Sequence, residues 1–310
     1  MPSDADVPVL VIFPGALGDI ILALPAIEAI SRAHAFAPLE LMARAELVRL
    51  LAGRSAVSRG HSIDRQDVAK LFNPVHSGAD GFFSRFRAIE SFFAGDDANF
   101  RANLQAVSGG AVRFHAFRPS GAGHISQLYL DSVGFPEAAA NPKIRLLDTD
   151  FENARSVLKS LGISAESKFV AIFPGSGSAA KNWPLENFLA LARSLPEKVV
   201  PLAILGPAEA SIADSFTRAE IATISNAEPA TVGAIARMSA AFVGNDSGVS
   251  HLASACGARG VAIFGASDPS RWRPLGDVAV IHRDPIAAIT VAEVARAIAA
   301  ITGRAARVTI

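Results

Sequence analysis

The chain has 310 residues, of which 50% are hydrophobic and 19% are charged. This length and apolar content suffice for about two domains with buried cores, which excludes a disordered or collagen-like chain. The 29 basic and 29 acidic side chains cancel, so the chain as a whole has no electrostatic attraction to nucleic acid, and no nucleic-acid partner is predicted.

Cysteine usage and the first residues indicate the compartment. The single cysteine, Cys256, cannot form an internal disulfide, and residues 1–6 are acidic where a secretory signal would be basic. Residues 7–30 are mostly apolar, but Asp19, Glu28, Pro14 and Pro25 interrupt them, whereas a membrane span requires roughly 20 apolar residues with few charges. We therefore expect a cytoplasmic protein.

Apolar runs and helical periodicities alternate through the first half of the chain. Residues 7–13 form a continuous apolar run typical of a parallel strand that is covered on both faces, and after a turn the apolar positions continue at helical spacing from 20 to 30. Residues 54–80 show no clear pattern. Further patterns predict a strand at 39–42, a helix at 46–51, amphipathic helices at 82–93 and 100–107, a strand at 112–116 and a helix at 125–133.

The second half has a more regular pattern. Strands are predicted at 169–173, 199–205, 221–224, 241–243, 261–264 and 278–281, with helices between the first five at 185–195, 208–217, 231–238 and 249–256. Thr290 and Glu293 form the sequence pattern of a capping box, which opens a last helix that runs to about residue 301. Strands that alternate with helices predict an α/β fold with a parallel, doubly wound sheet.

The two halves of the chain begin alike. In each, an apolar strand is followed directly by the same tripeptide, at Phe13-Pro14-Gly15 and at Phe173-Pro174-Gly175. This similarity predicts two Rossmann-like halves that face one cleft. The segment 136–143 is rich in Ala, Asn and Pro, and the domain boundary is predicted there or slightly later.

Residues 175–184 form the first candidate site. Small residues such as Gly177 let backbone amides approach an anion, the hydroxyl of Ser176 can donate to it, and Lys181 supplies a positive charge. A phosphate site and an ordinary loop with one solvated lysine are equally compatible with this segment. Its glycine spacing also fits the fingerprint of an NAD enzyme, but that fingerprint requires an acidic residue at the end of the next strand, where this chain has Leu205-Gly206-Pro207.

A second junction between a strand and a helix lies at residues 244–251. The first amides of the helix and the Ser247 hydroxyl would point at a bound anion, and Asp246 can accept a hydrogen bond from a sugar hydroxyl, although helix capping explains both side chains equally well. His251 lies one turn into the helix, where a histidine is more often packed than reactive. With residues 265–269, three such turns at the carboxyl ends of parallel strands would converge on one crevice.

Two acidic positions have both a structural and a functional interpretation. Asp19 begins the first helix, where the helix dipole favours an acid, and it is also placed to serve as a general base. Asp148-Thr149-Asp150 matches a metal-binding Asp-x-Asp pattern, but helix capping by Asp150 is the simpler explanation. The histidines lack ligand spacing, so no metal site is predicted.

Three separated patches resemble the lipopolysaccharide heptosyltransferase family, glycosyltransferase family 9. Gly15-Ala16-Leu17-Gly18-Asp19, continuing to Leu24-Pro25-Ala26, is similar to the family's opening Gly-Asp-x-x-x-x-x-Pro-Ala, although Phe13-Pro14 stands where members often carry a basic residue. Lys181-Asn182-Trp183-Pro184 resembles the family's Lys-x-Trp-Pro. Asp246-Ser247-Gly248-Val249-Ser250-His251-Leu252 resembles its Asp-[Ser/Thr]-Gly-x-x-His-Leu, and the order of the three patches makes the resemblance specific.

The resemblance implies a GT-B fold, with two Rossmann-like doubly wound domains that face a central cleft. Residues 1–145 would form the amino-terminal acceptor domain and residues 146–288 the carboxy-terminal nucleotide-sugar domain. Residues 289–310 would form a helix that packs back towards the amino-terminal domain.

The resemblance also implies roles for individual residues. Asp19 would be the catalytic base, and Lys181 would act both in catalysis and in nucleotide-sugar binding by stabilising the leaving diphosphate. Asp246 would contact the donor sugar, and Glu209 would bind the ribose hydroxyls. The remaining nucleotide-sugar-binding residues, which would hold or organise the phosphates, are Ser176, Gly177, Ser247, Gly248 and His251.

The implied activity is inverting transfer of a heptose, or a related sugar, from an ADP-sugar to a saccharide or glycolipid acceptor, namely the lipopolysaccharide inner core. No cofactor and no obligatory metal are expected, and contact with the inner membrane surface would be peripheral at most. The alternatives are a sugar-nucleotide epimerase of the same fold, a non-catalytic module that binds nucleotide sugars, and the NAD enzyme considered above.

Overall fold

The computed structural model describes residues 7–74, 80–164 and 166–303. The acidic residues 1–6 and the end of the last predicted segment, 304–310, therefore lie outside the described residues. The chain divides into two compact units, residues 1–144 and residues 145–310, so the second unit includes the last helix.

The amino-terminal unit is built on a five-stranded parallel sheet in the order β3-β2-β1-β4-β5. Its strands are β1 (Val9–Ile12), β2 (Leu39–Ala43), β3 (Val57–Ser62), β4 (Ala88–Ser91) and β5 (Ala111–Phe114). Every residue of β1, β2 and β4 is buried, because helices cover both faces of the middle of a parallel sheet.

The described part of this unit contains six helices. They are α1 (Leu17–Ala33), α2 (Ala45–Leu51), α3 (Gln66–Lys70), α4 (Asp80–Phe83), α5 (Ala98–Val107) and α6 (Ile125–Ser132). The predicted helices at 20–30, 46–51, 100–107 and 125–133 are confirmed. Helix α1 packs against α6, and its apolar residues from Ile20 onwards are almost all buried.

The helix predicted over residues 82–93 is wrong. Helix α4 ends at Phe83, and residues 88–91 form β4 in the interior of the sheet. Phe83, Phe86 and Ile89 do recur at helical intervals, but they enter the same core from the end of a helix, from a loop and from a strand. A strand buried on both faces is apolar at nearly every position, so the spacing of apolar residues cannot distinguish it from a helix.

The sequence did not predict strand β3. Its sequence, Val-Ser-Arg-Gly-His-Ser, is mostly polar, and only Val57 is fully buried because the strand lies at the edge of the sheet. Edge strands bury few side chains, so neither an apolar run nor an alternation marks them.

The carboxy-terminal unit is built on a six-stranded parallel sheet in the order β11-β10-β9-β6-β7-β8. Its strands are β6 (Lys168–Phe173), β7 (Val199–Leu205), β8 (Ala222–Ser225), β9 (Ala241–Asn245), β10 (Gly260–Phe264) and β11 (Val278–His282). All six strands predicted for this half are confirmed. When the six strands are numbered from the first strand of this unit, their order in the sheet is the doubly wound order of dinucleotide-binding folds.

The helices of this unit cover both faces of its sheet. They are α7 (Asp148–Ser160), α8 (Leu185–Ser194), α9 (Ala213–Arg218), α10 (Pro229–Met238), α11 (Gly248–Ala255), α12 (Pro269–Trp272) and α13 (Val291–Thr302), with short 3-10 helices at Ala179–Lys181, Pro207–Ile212 and Ile286–Ala288. In the described part of the chain, no helix combines the length and the apolar character needed to cross a bilayer.

Helix α13 begins with the predicted capping box. The backbone N–H of Thr290 donates to Glu293 Oε2 at 2.9 Å, and the backbone N–H of Glu293 donates to Thr290 Oγ1 at 3.3 Å. The helix packs against α8, β9 and β10, and Val294, Ile298 and Ile301 join the core of the carboxy-terminal unit. Its predicted approach to the amino-terminal domain stays a prediction.

In each sheet, the order in which successive strands are added reverses at one position, the topological switch point. In the amino-terminal sheet this position lies between β1 and β4, and in the carboxy-terminal sheet it lies between β6 and β9. In open α/β sheets, ligands bind outside the carboxyl ends of the strands at such a switch point. The loops that follow these four strands are therefore where functional residues are expected.

Candidate active site

Asn245 fixes the loop between β6 and α8. This residue ends β9 and is 0% exposed. Its side-chain amide donates to the carbonyl of Pro174 at 2.8 Å, and its side-chain oxygen accepts the backbone N–H of Trp183 at 3.0 Å. Both ends of the loop are thereby tied to the neighbouring strand. Sequence reasoning missed this role, although Asn245 lies inside a motif that was singled out.

Trp183 closes the loop by packing into the core. Its side chain is buried, its indole N–H donates to the carbonyl of Ile289 at 2.9 Å, and its ring lies edge-on to Phe188 at a centroid distance of 5.0 Å. An indole with a satisfied N–H is a rigid anchor. The loop between Pro174 and Trp183 is therefore held firmly at its base.

Lys181 and Asp246 form an ion pair across the switch point. Lys181 ends the 3-10 helix Ala179–Lys181, and its ammonium donates to Asp246 Oδ2 at 2.7 Å. The Asp246 side chain is 7% exposed and that of Lys181 is 40% exposed. The two residues come from separate sequence motifs, and they meet because β6 and β9 are neighbours in the sheet.

The amino terminus of α11 lies directly after Asp246. Ser247 occupies the N-cap position, but its side chain makes no capping hydrogen bond. Its Oγ lies 3.2 Å from Ser250 Oγ, and the Ser250 hydroxyl donates to the carbonyl of Asn245 at 2.7 Å. Gly248 is the first helical residue. Since the first amides of a helix lack intrahelical partners and carry partial positive charge, this end of α11 favours an anion.

His251 lies in the first turn and a half of α11 and is buried. The backbone N–H of His251 donates to the carbonyl of Ser247 at 3.3 Å. The structure thus brings Lys181, Asp246, Ser247, Gly248 and His251 into one region at the carboxyl ends of β6 and β9.

Ser176 and Gly177 lie at the outer part of the loop. The Ser176 hydroxyl donates to the carbonyl of Ser178 at 2.7 Å and accepts the backbone N–H of Ser178 at 3.3 Å, so it closes a turn within the loop. Gly177 is exposed, and a Cβ there would meet no atom within 4 Å. The backbone at Gly177 is therefore accessible to a ligand, whereas the Ser176 hydroxyl already has local partners.

Glu209 lies against the same loop from the side of β7. Its Oε2 accepts the backbone N–H of Gly206 at 2.8 Å. A Cβ on Gly175 would lie only 2.0 Å from Glu209 Oε1, so a larger residue at position 175 would have to displace this carboxylate. The predicted ribose-binding residue is thus next to the predicted phosphate loop.

The amino-terminal unit carries Asp19 in the first turn of α1. Its carboxylate accepts the backbone N–H of Ala16 at 3.2 Å and is 11% exposed. Arg118 binds both of its oxygens, with Nη2 at 3.0 Å from Oδ1 and 3.2 Å from Oδ2. Asp19 is therefore more than an acid favoured by the helix dipole, because a guanidinium from far along the chain fixes its orientation.

Sequence reasoning missed Arg118. It follows β5, the strand at the far edge of the amino-terminal sheet, and 99 positions separate it from Asp19. Nothing in its immediate sequence distinguishes it from the other basic residues of this half. Only the folded chain shows that it is the partner of Asp19.

Other acidic candidates have structural partners. Asp150 Oδ2 accepts the backbone N–H of Leu147 at 2.8 Å at the start of α7, as the capping interpretation predicts. Hydrogen bonds from the Ser270 hydroxyl and backbone N–H hold the pKa of Asp268 below its ordinary value, where it caps α12. Within the described ranges, no three His, Cys, Asp or Glu side chains are grouped as a metal site.

Comparisons with solved structures agree with this architecture. A glycosyltransferase family 9 protein from Veillonella parvula has 15% identity and a TM-score of 0.78, with 95% of this chain and 97% of that chain covered. ADP-heptose LPS heptosyltransferase II of E. coli has 16% identity and a TM-score of 0.73, with 95% and 98% covered. E. coli heptosyltransferase WaaC with ADP has 15% identity and a TM-score of 0.70, with 95% and 99% covered. At these identities the likeness establishes the GT-B fold.

The sequence itself identifies the family. No curated protein matches the chain. The sequence model of glycosyltransferase family 9 (heptosyltransferase) matches residues 124–293, which is more than half of the 310 residues. This match favours a sugar transferase over the epimerase and the non-catalytic module. The chain belongs to glycosyltransferase family 9 and is a glycosyltransferase.

Proposed function

We propose that this glycosyltransferase moves a heptose, or a closely related sugar, from an ADP-sugar to a saccharide acceptor with inversion at the anomeric carbon. The observation that carries the proposal is the Lys181–Asp246 pair at 2.7 Å, directly before the amino terminus of α11. A cation next to free helix amides, at the switch point of a doubly wound sheet, suits the diphosphate of a nucleotide sugar.

Binding of the donor would rearrange this ion pair. A diphosphate oxygen competes with Asp246 for the Lys181 ammonium, and the amides of Gly177 and Gly248 donate to the remaining oxygens. Asp246, once released, accepts a hydrogen bond from a hydroxyl of the donor sugar. Glu209, next to the loop, accepts hydrogen bonds from the ribose hydroxyls.

Transfer would begin at Asp19. Its carboxylate takes the proton of an acceptor hydroxyl while the hydroxyl oxygen forms a bond to the anomeric carbon of the donor. The bond from that carbon to the diphosphate breaks, and ADP leaves with the electron pair. Attack from the face opposite the leaving group inverts the anomeric configuration.

The charge that grows on ADP is stabilised in this proposal by Lys181 and the α11 amides. Preorganised donors aimed at a developing negative charge lower the barrier most when they need not reorient during the reaction. Asn245 and Trp183 provide that rigidity, because they fix both ends of the loop that carries Lys181. A reaction that needs no resident metal or cofactor stays a prediction, which transfer assays with and without EDTA would test.

The acceptor in this proposal is the lipopolysaccharide inner core. The E. coli relative of the same fold is described as an ADP-heptose LPS heptosyltransferase, which supports this choice of donor and acceptor class. A glycolipid acceptor would bring the protein into peripheral contact with the inner membrane surface.

Calorimetry against matched ADP-, GDP- and UDP-sugars tests the donor. We expect measurable binding of the ADP-sugar, weaker binding of the others, and only slow hydrolysis of the donor when no acceptor is present. Tighter binding of UDP- or GDP-sugars would contradict the proposed donor. Conversion of the donor to an epimer without acceptor would contradict transfer.

A further inference from the structure

Strand β11 (Val278–His282) forms one edge of the carboxy-terminal sheet, and within the described residues β10 is its only neighbouring strand. Its first four residues are apolar, and only His282 at its end is polar. Val278, Val280 and Ile281 are half-buried, whereas Ala279 and His282 are exposed. The carboxy-terminal sheet therefore ends in an apolar strand whose outer side is open.

The other edges of the two sheets carry polar or charged side chains. Strand β3 contains Arg59, which is exposed, and β5 contains Arg113, whose side chain is 60% exposed. Strand β8 is half polar, with Thr223 and Ser225. Proteins commonly protect edge strands with charged side chains, because the unpaired N–H and C=O groups of an edge otherwise bind another strand. Among the four edges that the structure describes, only β11 combines an apolar sequence with no Asp, Glu, Lys or Arg.

The hydrogen bonds to β10 show which backbone groups of β11 point outwards. The backbone N–H of Gly260 donates to the carbonyl of Asp277 at 3.2 Å, and the backbone N–H of Arg283 donates to the carbonyl of Phe264 at 3.1 Å. Every second residue of a strand bonds to the same neighbour, so the odd-numbered residues of this segment face β10. The residues whose backbone groups point to the open edge are Val278, Val280 and His282.

A second copy of the chain fits this edge. Two identical strands that meet across a two-fold axis run antiparallel, and the residue at the axis pairs with itself. With Val280 at the axis, its outward N–H and C=O bond to those of the partner's Val280. Val278 then lies opposite the partner's His282, whose N–H reaches the Val278 carbonyl. The Val278 N–H already donates to the carbonyl of Gly276 at 3.0 Å.

The same register brings opposite charges together. Asp277 directly precedes β11 and Arg283 directly follows it, so with Val280 at the axis each lies opposite the other residue of the partner copy. Both residues are exposed, and Arg283 forms an ion pair with Glu293 at the start of α13. In the described part of the chain, the Asp277 carboxylate has no ionic partner. Opposite charges that face each other across two strands stabilise their pairing.

We propose that the chain forms a two-fold dimer through β11, in which two six-stranded sheets join into one continuous sheet. The charges select the register, because an axis at Val278 or His282 would separate Asp277 from the partner's Arg283. The dimer does not depend on the proposed sugar transfer, since β10 and β9 lie between β11 and the switch point next to β6.

Sedimentation velocity over a dilution series that reaches high micromolar concentrations tests the proposal. We expect the wild-type protein to approach the mass of two chains. Val280→Pro removes the N–H at the axis, and it leaves the bonds to β10 in place because that N–H points outwards. This variant should therefore lose the dimer and remain a folded monomer, as thermal unfolding would show.

Two charge variants test the register. In Asp277→Lys both ends of the edge are positive, and in Arg283→Glu both ends are negative, so each variant alone should remain monomeric. Mixed in equal amounts, the two variants present opposite charges to each other at both ends of β11. The mixture should therefore recover the mass of two chains.

Glu197→Lys is the matched control, because it makes the same charge change at an exposed position before β7. It should form dimers as the wild type does. A wild-type protein that stays monomeric throughout the series overturns the proposal. So does a dimer that folded Val280→Pro or either charge variant retains, and so does a mixture of the two charge variants that stays monomeric.

Discussion

The two units begin with the same elements and then diverge. In each, a buried strand leads into Phe-Pro-Gly, and in each a side chain lies close against the glycine. Asp19 Cβ would lie 2.7 Å from a Cβ on Gly15, and Glu209 Oε1 would lie 2.0 Å from a Cβ on Gly175. After the glycine, α1 begins at once with Leu17, whereas α8 begins only at Leu185.

This difference in loop length separates the proposed roles. The short connection in the amino-terminal unit puts a carboxylate on the first turn of a helix, where Arg118 orients it. The long connection in the carboxy-terminal unit forms a loop of small residues with one lysine, fixed at its base by Asn245. In the proposed function, one unit supplies the base and the other supplies hydrogen-bond donors for the diphosphate.

Asp19→Asn tests this division with the largest expected effect. The amide keeps the shape of the side chain but cannot take a proton, so transfer should fall by roughly 10²–10⁴-fold. Binding of ADP, which we propose for the other unit, should be unchanged. Glu28→Gln on the exposed part of the same helix is the control. Loss of ADP binding in Asp19→Asn would show that the two roles are not separate.

Glu90→Gln tests the buried ion cluster around Glu90 in the amino-terminal unit. The Glu90 side chain is 3% exposed and accepts hydrogen bonds from Arg113, His34 and His115. Losing the charge of a buried carboxylate that is paired in this way should destabilise the unit by about 3–5 kcal/mol. Denaturant unfolding at neutral pH measures the change, with Glu46→Gln, an exposed glutamate of the same unit, as the control.

The effect of Glu90→Gln should depend on pH. Burial raises the pKa of Glu90, but the hydrogen bonds from His115, His34 and Arg113 outweigh it, and the pKa lies below the ordinary 4.5. The carboxylate therefore stabilises the fold above pH 4.5, and this contribution is lost as the pH falls below that value. The difference between wild type and variant should shrink in acid; a constant difference would contradict this account.

Lys181→Ala tests the carboxy-terminal unit. Removing a charged hydrogen-bond donor should weaken ADP binding by roughly 1.5–3 kcal/mol, which is about one to two powers of ten in Kd. Calorimetry measures the change, and Lys198→Ala, an exposed lysine of the same unit, should bind ADP as the wild type does. Equal affinity in both variants would remove Lys181 from the proposed site.

Glu293→Gln is expected to have the smallest effect. Hydrogen bonds from the backbone N–H and hydroxyl of Thr290, together with Arg283, lower the pKa of Glu293 to about 2. The capping box at α13 should therefore hold above pH 4.5 and weaken as the pH falls towards 2. The protection factors of the first amides of α13, after correction for the intrinsic pH dependence of exchange, should fall in this window in the wild type, and the variant should show no such change.

The sequence predicted the carboxy-terminal unit better than the amino-terminal one. Strands such as 169–173 and 261–264 are short apolar runs separated by helices, so the pattern of apolar residues identifies each of them as a strand. In the amino-terminal unit, the phenylalanines from 82 to 93 fitted a helix although β4 runs through them, and the polar edge strand β3 fitted nothing. Local spacing fails where tertiary packing decides the conformation.

The candidate site was predictable where its residues lie in loops that follow neighbouring strands. Lys181 and Asp246 lie in loops after β6 and β9, and the adjacency of these strands brings them together. Arg118 was not predictable, because its pairing with Asp19 depends on how a loop after the edge strand β5 folds. Nor did sequence show that Asn245 supports the loop, since that role depends on burial and on two backbone partners.

A crystal structure of the protein with ADP tests the central claim most directly. The account predicts that the diphosphate lies at the carboxyl ends of β6 and β9, with one oxygen within hydrogen-bond distance of Lys181 Nζ in place of Asp246 and another at the first amides of α11. ADP bound elsewhere, or a Lys181–Asp246 pair that stays intact beside an empty loop, would contradict it.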